Sequence, residues 1–403
     1  MLYFGLSILE GVIDTNSPTF FHLGRTGTLN KPALSAMGVN TVPGIRDNSY
    51  IEDTKVAENL GYKLFERDSS VRLTYFGEDI RAELALTFIF RKQIPAENVT
   101  VVLLSDGSFS RNANVLRYAD APDPLAQLEY DRAVVREMIA TAKSGNIPGS
   151  IGNTVLAFML EMPNAYWWYN GASYLTGDVP ALAHITRPLL DSGRIVDKRT
   201  SDLFAAVRAG GKIDDARDIF NMAYIAGCVP DNGKNTLVVT GTYTSYEMLD
   251  TSGTSTSVGG ATLPELFNGV LAFYSDKYNI FYKGHPQTPT NSTSETGYTE
   301  GSAAKRAFFA SRGIREISDA AIPSEMLMYL ISGLYIGGYP GTTFQSSQDS
   351  QTLFFFSEPD KFFNFLPPGL NNPAYFLHGD TYFIYREGDE IKRTPVTLEQ
   401  ISR

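Results

Sequence analysis

Four short motifs in this chain of 403 residues carry side chains that could do chemistry. Each follows a run of β-branched and apolar residues: Asp-Gly-Ser at 106–108, Thr-Gly-Thr at 240–242, Lys-Gly-His-Pro at 283–286 and Gly-Gly at 337–338. In open α/β sheets, ligands bind beyond the carboxyl ends of the strands, where loops and helix N-termini converge. If the four runs are strands, we expect the motifs to line one cleft.

Asp106 is the first candidate for catalysis. It follows a strand predicted over Val99–Leu104, and Gly107 lets the backbone turn sharply and present the carboxylate. A carboxylate so placed can act as a general base. Asp-Gly pairs also cap helices and close turns, so both interpretations stay open.

His285 is the second candidate, since it lies between the permissive Gly284 and the rigid Pro286. An imidazole with an ordinary pKa of about 6.5 can donate a proton to a departing phosphate or bind it as a cation. A satisfied structural histidine is the alternative. The nearby cation of Lys283 makes the two interpretations about equal in weight.

Two further features point to a nucleotide, each with an ordinary structural alternative. A helix predicted over residues 323–333 places Glu325 in its first turn. The helix dipole stabilises a carboxylate there, and the same carboxylate can bind a ribose diol. Residues 337–343 then offer backbone N–H groups and the hydroxyls of Thr342 and Thr343, either as a phosphate cradle or as a turn. The pair Trp167 and Trp168 can stack on a sugar or pack in the core.

Composition excludes several classes of protein. Lys and Arg number 34 against 44 Asp and Glu, a net charge of -10, so a nucleic-acid partner is not expected. The single Cys228 and four scattered histidines exclude a disulfide framework and a Cys-built zinc site. There is no Asp-X-Asp motif, so we expect side chains and dipoles, without a metal, to neutralise a leaving phosphate.

In their order along the chain, the motifs resemble those of the bacterial GT-B sialyltransferases of the Pasteurella type. That family transfers sialic acid from CMP-sialic acid to galactose-containing acceptors. LLSDGS is similar to its Asp-Asp-Gly-Ser box, VVTGTYT to its Thr-Gly-Thr segment, and NIFYKGHP to its Tyr-Phe-Lys-Gly-His-Pro box. PSEMLMYLISGLYIGG is similar to its Ser-Phe-Glu-Val-Leu-Met helix with the Gly-Gly turn that follows. Ser105 departs from the first acidic residue of the box, and Tyr246 is the nearest aromatic to the tryptophan that follows the family's Thr-Gly-Thr.

The resemblance implies an inverting transfer without a metal, in which Asp106 is the base and His285 the acid or phosphate partner. The CMP-sugar would be a co-substrate, so no cofactor is expected. The implied donor-binding residues are Gly241, Lys283, Pro286, Glu325, Thr342 and Thr343. Tyr246 and Trp167 are weaker candidates for contact with a galactose-containing acceptor.

The elements that must hold these residues alternate along the chain, which is typical of α/β layers around parallel sheets. Further strands are predicted over 236–239, 279–282 and 334–336, and a long helix over 125–144. The resemblance implies a GT-B glycosyltransferase: two Rossmann-like domains facing across a cleft.

The predicted domain boundary lies near residue 160, after the Gly-, Pro- and Asn-rich stretch at 143–153. Residues 1–160 would form an acceptor domain with the base, and 161–385 a CMP-sugar donor domain. Residues 386–403 would be a C-terminal segment that can pack back on the first domain. The longest later apolar run, residues 326–339, is too short to span a bilayer, so no transmembrane segment is expected. The single cysteine favours a cytoplasmic protein, at the inner membrane face if the acceptor is lipid-linked.

Other functions remain open at this point. A related transferase would use CMP-Kdo or another CMP-linked nonulosonic acid. A non-catalytic nucleotide- or glycan-binding protein would bind CMP without turnover. A nucleotide-sugar epimerase of similar shape would act on UDP-sugars.

Overall fold

A computed structural model describes most of the chain. The described residues are 2–16, 19–22, 30–42, 50–105, 115–149, 154–169, 179–222, 230, 232–240, 263–284, 308–317, 324–331, 334–338, 353–356, 358–359 and 381–396. The α-helices are α1 (Leu2–Glu10), α2 (Lys31–Ala36), α3 (Tyr50–Arg67), α4 (Ala82–Phe90), α5 (Pro124–Lys143), α6 (Val155–Glu161), α7 (Ala183–Asp191), α8 (Thr200–Ala209), α9 (Ile213–Ile219), α10 (Leu263–Tyr274) and α11 (Ser324–Leu330). The strands are β1 (Thr19–His22), β2 (Val39–Val42), β3 (Leu73–Glu78), β4 (Val99–Leu104), β5 (Ala165–Tyr169), β6 (Ile195–Asp197), β7 (Asn235–Thr240), β8 (Tyr278–Lys283), β9 (Leu334–Gly338), β10 (Leu353–Phe356), β11 (Thr381–Glu387) and β12 (Glu390–Pro395).

The predicted strands and the long helix are confirmed, each to within two residues at either end. The buried β-branched run Val99–Leu104 forms β4, as its composition favours. Helix α5 begins where Asp123 accepts the backbone N–H groups of Leu125 and Ala126, with Pro124 in the first turn. The helix predicted over 323–333 is shorter: α11 begins at Ser324 and ends at Leu330.

The first large sheet has four parallel strands in the order β3-β4-β5-β6. Val101, Leu103 and Trp167 point into a core with α4, α5 and α6. Side chains on successive strand residues alternate between faces. Leu104 and Trp168, which follow Leu103 and Trp167, therefore contact a different apolar cluster, which contains Phe281 of the second large sheet. β1 and β2 form a separate two-stranded parallel sheet.

The second large sheet has six strands in the order β12-β11-β10-β9-β7-β8, all parallel except β12. Its central strands β7 and β9 are buried on both faces. Leu237 and Val239 pack against α10 on one face, whereas Val238 and Phe281 belong to a cluster with α1, α8, α9 and α11 on the other. A parallel sheet covered on both faces is the expected α/β arrangement.

The N-terminal helix α1 lies at the junction of the two large sheets. Leu6 and Leu9 are fully buried in the cluster that contains Val238 and Phe281 of the second sheet. The ring of Phe4 meets that of Phe76 on β3 edge to face, with their centroids 5.7 Å apart. The apolar N-terminus therefore helps to join the two sheets.

Two of the predicted boundaries are wrong. β5 and β6 lie beyond residue 160 but pair with β4 and each other in the first sheet, so the chain changes sheets between Asp197 and Asn235. Residues up to 395 continue the second sheet, because β12 pairs with β11. The edge of β11 presents unpaired N–H and C=O groups, with which this segment pairs. Residues 397–403 lie outside the described chain.

Among the described helices, none is both long enough and apolar enough to cross a bilayer.

Candidate functional site

Three of the four motifs meet at the carboxyl edge of the second sheet. Thr240 ends β7 and is in register with Lys283 at the end of β8 on one side. On its other side it is in register with Gly338 at the end of β9. Neighbouring strands lie about 4.8 Å apart. The three motifs, which together span about 100 residues of sequence, therefore form one short row.

Gly338 and Thr240 approach each other unusually closely in this row. Gly338 has φ +145°, and the Thr240 hydroxyl donates to the carbonyl oxygen of Gly337 over 3.2 Å. A Cβ atom on Gly338 would lie 2.7 Å from the backbone oxygen of Thr240 and 2.9 Å from its hydroxyl oxygen. The second glycine of the Gly-Gly motif is therefore required by the contact between β7 and β9.

Lys283 is fully buried, and its ammonium group donates to the carbonyl oxygen of Gly284 over 2.6 Å. The N–H group of Gly284 donates to Glu316 Oε1 over 3.1 Å. Glu316 reaches this position because residues 315–317 run beside the end of β8: Tyr282 donates to the carbonyl of Arg315, and Ile317 to that of Tyr282, each over 2.9 Å. Both polar groups of Gly284, the residue before His285, are thus bonded to protein side chains.

Glu325 is the second residue of α11 and is half-buried. The other end of this helix is held by two arginines of the preceding helices. Arg208 on α8 donates to the carbonyl of Tyr329 over 2.7 Å, and Arg217 on α9 to that of Leu330 over 3.5 Å. Cationic donors satisfy the last carbonyls of a helix and favour its negative end, so α8 and α9 fix the helix that carries Glu325.

On the side of the first sheet, the buried Ser105 follows β4, and its N–H group donates to the carbonyl of Trp168 over 3.0 Å. Leu104 and Trp168, at or next to the carboxyl ends of β4 and β5, pack against the cluster that contains Phe281 and Ile336 of the second sheet. The carboxyl end of β4, which leads to Asp106, therefore lies beside residues of the second sheet.

Trp167 does not fit the acceptor-binding interpretation. Its ring is completely buried in the core of the first sheet, and its indole N–H donates to Asp79 Oδ2 over 3.0 Å. A ring without an exposed face cannot stack on a sugar, so the core alternative applies. The neighbouring Trp168 points to the opposite face, where Lys198 Nζ lies 5.3 Å from the centre of its ring.

The structure therefore places Lys283 at the carboxyl edge of the second sheet, Glu325 in the first turn of α11 and Trp167 in the core. The other candidates lie outside the described residues: Asp106, Gly241, Tyr246, His285, Pro286, Thr342 and Thr343. Sequence reasoning did not find Glu316, which is 32 residues from Gly284 and has no motif of its own. Within the described ranges, no three His, Cys, Asp or Glu side chains are grouped as metal ligands would be.

No protein-family model matches the chain, and no curated protein matches it. Solved structures do, at low sequence identity. An α/β-galactoside α-2,3-sialyltransferase from Photobacterium phosphoreum aligns with a TM-score of 0.59 and 13% identity, over 88% of this chain and 87% of that one. The GT-B domain of a Photobacterium damselae sialyltransferase aligns with a TM-score of 0.59 and 15% identity, over 92% of both chains.

A third similar structure is a Photobacterium 2,6-sialyltransferase in a ternary complex with CMP and lactose. It aligns with a TM-score of 0.61 and 13% identity, over 88% of this chain and 69% of that one. The α/β architecture with parallel sheets is thus the GT-B fold of bacterial sialyltransferases, as predicted.

Proposed function

We propose that this protein is a glycosyltransferase that moves sialic acid from a CMP-linked donor to a hydroxyl group of a galactose-type glycan. The observation that carries the proposal is the row Thr240, Lys283 and Gly338, from which the Thr-Gly-Thr, Lys-Gly-His-Pro and Gly-Gly segments leave the same edge of one sheet. This is the edge at which α/β folds bind nucleotides. The fold is shared with a sialyltransferase solved with CMP and lactose, which favours these two ligand classes here.

In the proposed reaction, Asp106 removes a proton from the acceptor hydroxyl as its oxygen attacks the anomeric carbon of the donor. The bond between that carbon and the phosphate oxygen of CMP breaks, with inversion at the carbon. His285 donates a proton to the departing phosphate or stabilises its charge, and the hydroxyls of Thr342 and Thr343 bind it. Glu325 accepts hydrogen bonds from the ribose, and no metal takes part.

The substrate class is tested by two measurements on the purified full chain. Calorimetry should show binding of CMP and much weaker binding of UDP. Incubation of CMP-sialic acid with lactose should give sialyllactose and CMP by mass spectrometry, with the same rate in EDTA. Tight UDP binding would contradict the proposal, and a product formed only from CMP-Kdo would reassign the donor.

The catalytic assignment is tested by Asp106→Asn, which keeps the shape of the side chain and removes the base. We expect kcat to fall by about 100- to 10,000-fold while the CMP dissociation constant stays within about twofold. His285→Asn should lower kcat by a similar factor. If Asp106→Asn binds CMP and transfers sialic acid at the rate of the wild type, Asp106 is not the base.

The anomeric configuration of the new sialic acid linkage in the product, compared by NMR with that of the donor, tests inversion. A product with the configuration of the donor would contradict a single displacement and require a covalent intermediate.

A further inference from the structure

We propose that Glu316 is a positioning residue for His285, acting through the backbone of Gly284. The inference rests on the proposed function, in which His285 is the group that meets the departing phosphate. It assigns a role to a residue that lies outside the four motifs. Its basis is a set of hydrogen bonds around the single residue that precedes His285 in the chain.

Both backbone groups of Gly284 are held by side chains. Glycine has the largest range of backbone conformations, so Gly284 by itself does not favour one orientation of its peptide groups. Its two backbone groups nevertheless have fixed partners: the N–H group donates to Glu316 Oε1 over 3.1 Å, and the carbonyl accepts the Lys283 ammonium over 2.6 Å. The orientations of the peptide groups on either side of Gly284 are therefore fixed by side chains.

The two partners of Gly284 are themselves held in place. Lys283 is completely buried at the end of β8, so water does not compete for the hydrogen bond that its ammonium group donates. Glu316 is half-buried and is held in a short parallel pairing with Tyr282, on the open edge of the six-stranded sheet. A carboxylate that accepts a backbone N–H makes a charge-assisted hydrogen bond, which is stronger than one between neutral groups.

A fixed orientation of Gly284 has a consequence for catalysis by the residue that follows it. A group that transfers a proton must lie within hydrogen-bonding distance of its target, and a displacement of about 1 Å can cost about 100-fold in rate. Loss of the Glu316 carboxylate would release the N–H group of Gly284 and let its peptide groups adopt other orientations. Donor affinity, which depends mainly on other groups, should change much less than kcat.

The kinetic test compares two variants at this position. Glu316→Ala removes the acceptor and should lower kcat by about tenfold or more, with less than a threefold change in KM for the donor. Glu316→Gln keeps an amide oxygen at the same place and should recover most of this loss. The matched controls are Glu97→Ala and Glu97→Gln, at an exposed glutamate in the first half of the chain, and both should keep wild-type kinetics.

A second measurement does not depend on the reaction. In amide hydrogen exchange followed by NMR, the Gly284 N–H should be protected in the wild type and in Glu316→Gln, and should exchange at least about tenfold faster in Glu316→Ala. Equal protection in all three would overturn the proposed contact even if the chain proves to be an active sialyltransferase. Loss of protection of the Gly284 N–H with an unchanged kcat would show that Glu316 holds Gly284 without affecting catalysis. This result would also overturn the proposal.

If the chain does not transfer sialic acid at all, the exchange data still decide whether Glu316 holds Gly284. The proposed function can thus fail while this contact stands, and the two failures can be told apart.

Discussion

At the scale of single residues, the candidate site depends on atoms that approach more closely than side chains normally allow. Gly338 is the clearest case, because a Cβ atom would lie 2.7 Å from a backbone oxygen that cannot move without moving β7. The neighbouring Lys283 is completely buried and donates to a carbonyl one residue away. The resemblance implies that Lys283 helps to hold the nucleotide, and the described contact adds a role in orienting the carbonyl group of Gly284.

We predict that Gly338→Ala lowers the free energy of unfolding by about 2 to 3 kcal/mol, through steric overlap and an unfavourable φ. Urea denaturation measures the change. Gly388→Ala is the control: its φ is +62° but no atom lies within 4 Å of the added Cβ, so only about 1 kcal/mol is expected. Equal losses in both variants would show that the contact with Thr240 costs nothing.

At the scale of secondary-structure elements, helices in the first half of the chain are joined by charged side chains as well as by apolar contacts. Glu161 ends α6, where a carboxylate is disfavoured by the helix dipole. Two arginines of α5 compensate: Arg132 donates to Glu161 over 2.7 Å, and Arg136 does so twice, over 2.9 and 3.0 Å. Burial raises the pKa of Glu161, but the hydrogen bonds from Arg136 and Arg132 outweigh it, so the pKa lies below its ordinary value.

A carboxyl group with a lowered pKa stabilises the folded state at pH values above its unfolded pKa, which is about 4.3. This contribution is lost as the pH falls through the lower folded-state value. We therefore predict that Glu161→Gln costs about 1 kcal/mol at pH 7, allowing for solvent screening, and that its difference from the wild type disappears well below pH 4.

Urea denaturation at a series of pH values measures this difference. Glu137→Gln, at an exposed position on α5, should parallel the wild type throughout. If the difference in unfolding free energy between Glu161→Gln and the wild type is independent of pH, the ion pairs of Glu161 do not stabilise the folded state.

At the scale of the whole molecule, α1 couples the two sheets, because its buried face belongs to a cluster with residues of both. Leu6 is fully buried there, and Phe4 contacts Phe76 of the first sheet. Both tryptophans of the chain lie on β5, so tryptophan fluorescence reports the unfolding of the first sheet. Circular dichroism reports on both sheets together.

We predict that Leu6→Ala lowers the unfolding free energy by about 2 to 5 kcal/mol. The midpoints of urea unfolding measured by fluorescence and by circular dichroism should both fall by the same amount. Val12→Ala, at an exposed position just after α1, should change the unfolding free energy by less than about 0.5 kcal/mol. A circular dichroism shift without a fluorescence shift would mean that α1 stabilises only the second sheet.

Much of the architecture could be read from local composition. The β-branched run of β4 and the Asp-Pro start of α5 have strong local preferences, so their bounds were predicted within about two residues. The domain boundary could not be read in the same way. Glycine and proline mark turns inside a domain as well as between domains, and residues 143–153 lie before β5, which still belongs to the first sheet.

The sequence by itself determined where four of the strands end to within two residues, because strand propensity and the glycines that follow are local properties. It also placed Asp106 and His285 just beyond two of those ends, and their roles remain predictions. Only the tertiary structure decided that Thr240, Lys283 and Gly338 share one row, that Trp167 is buried and that Glu316 binds Gly284. These are consequences of strand order, register and packing, which depend on contacts between distant residues and not on the preferences of any short segment.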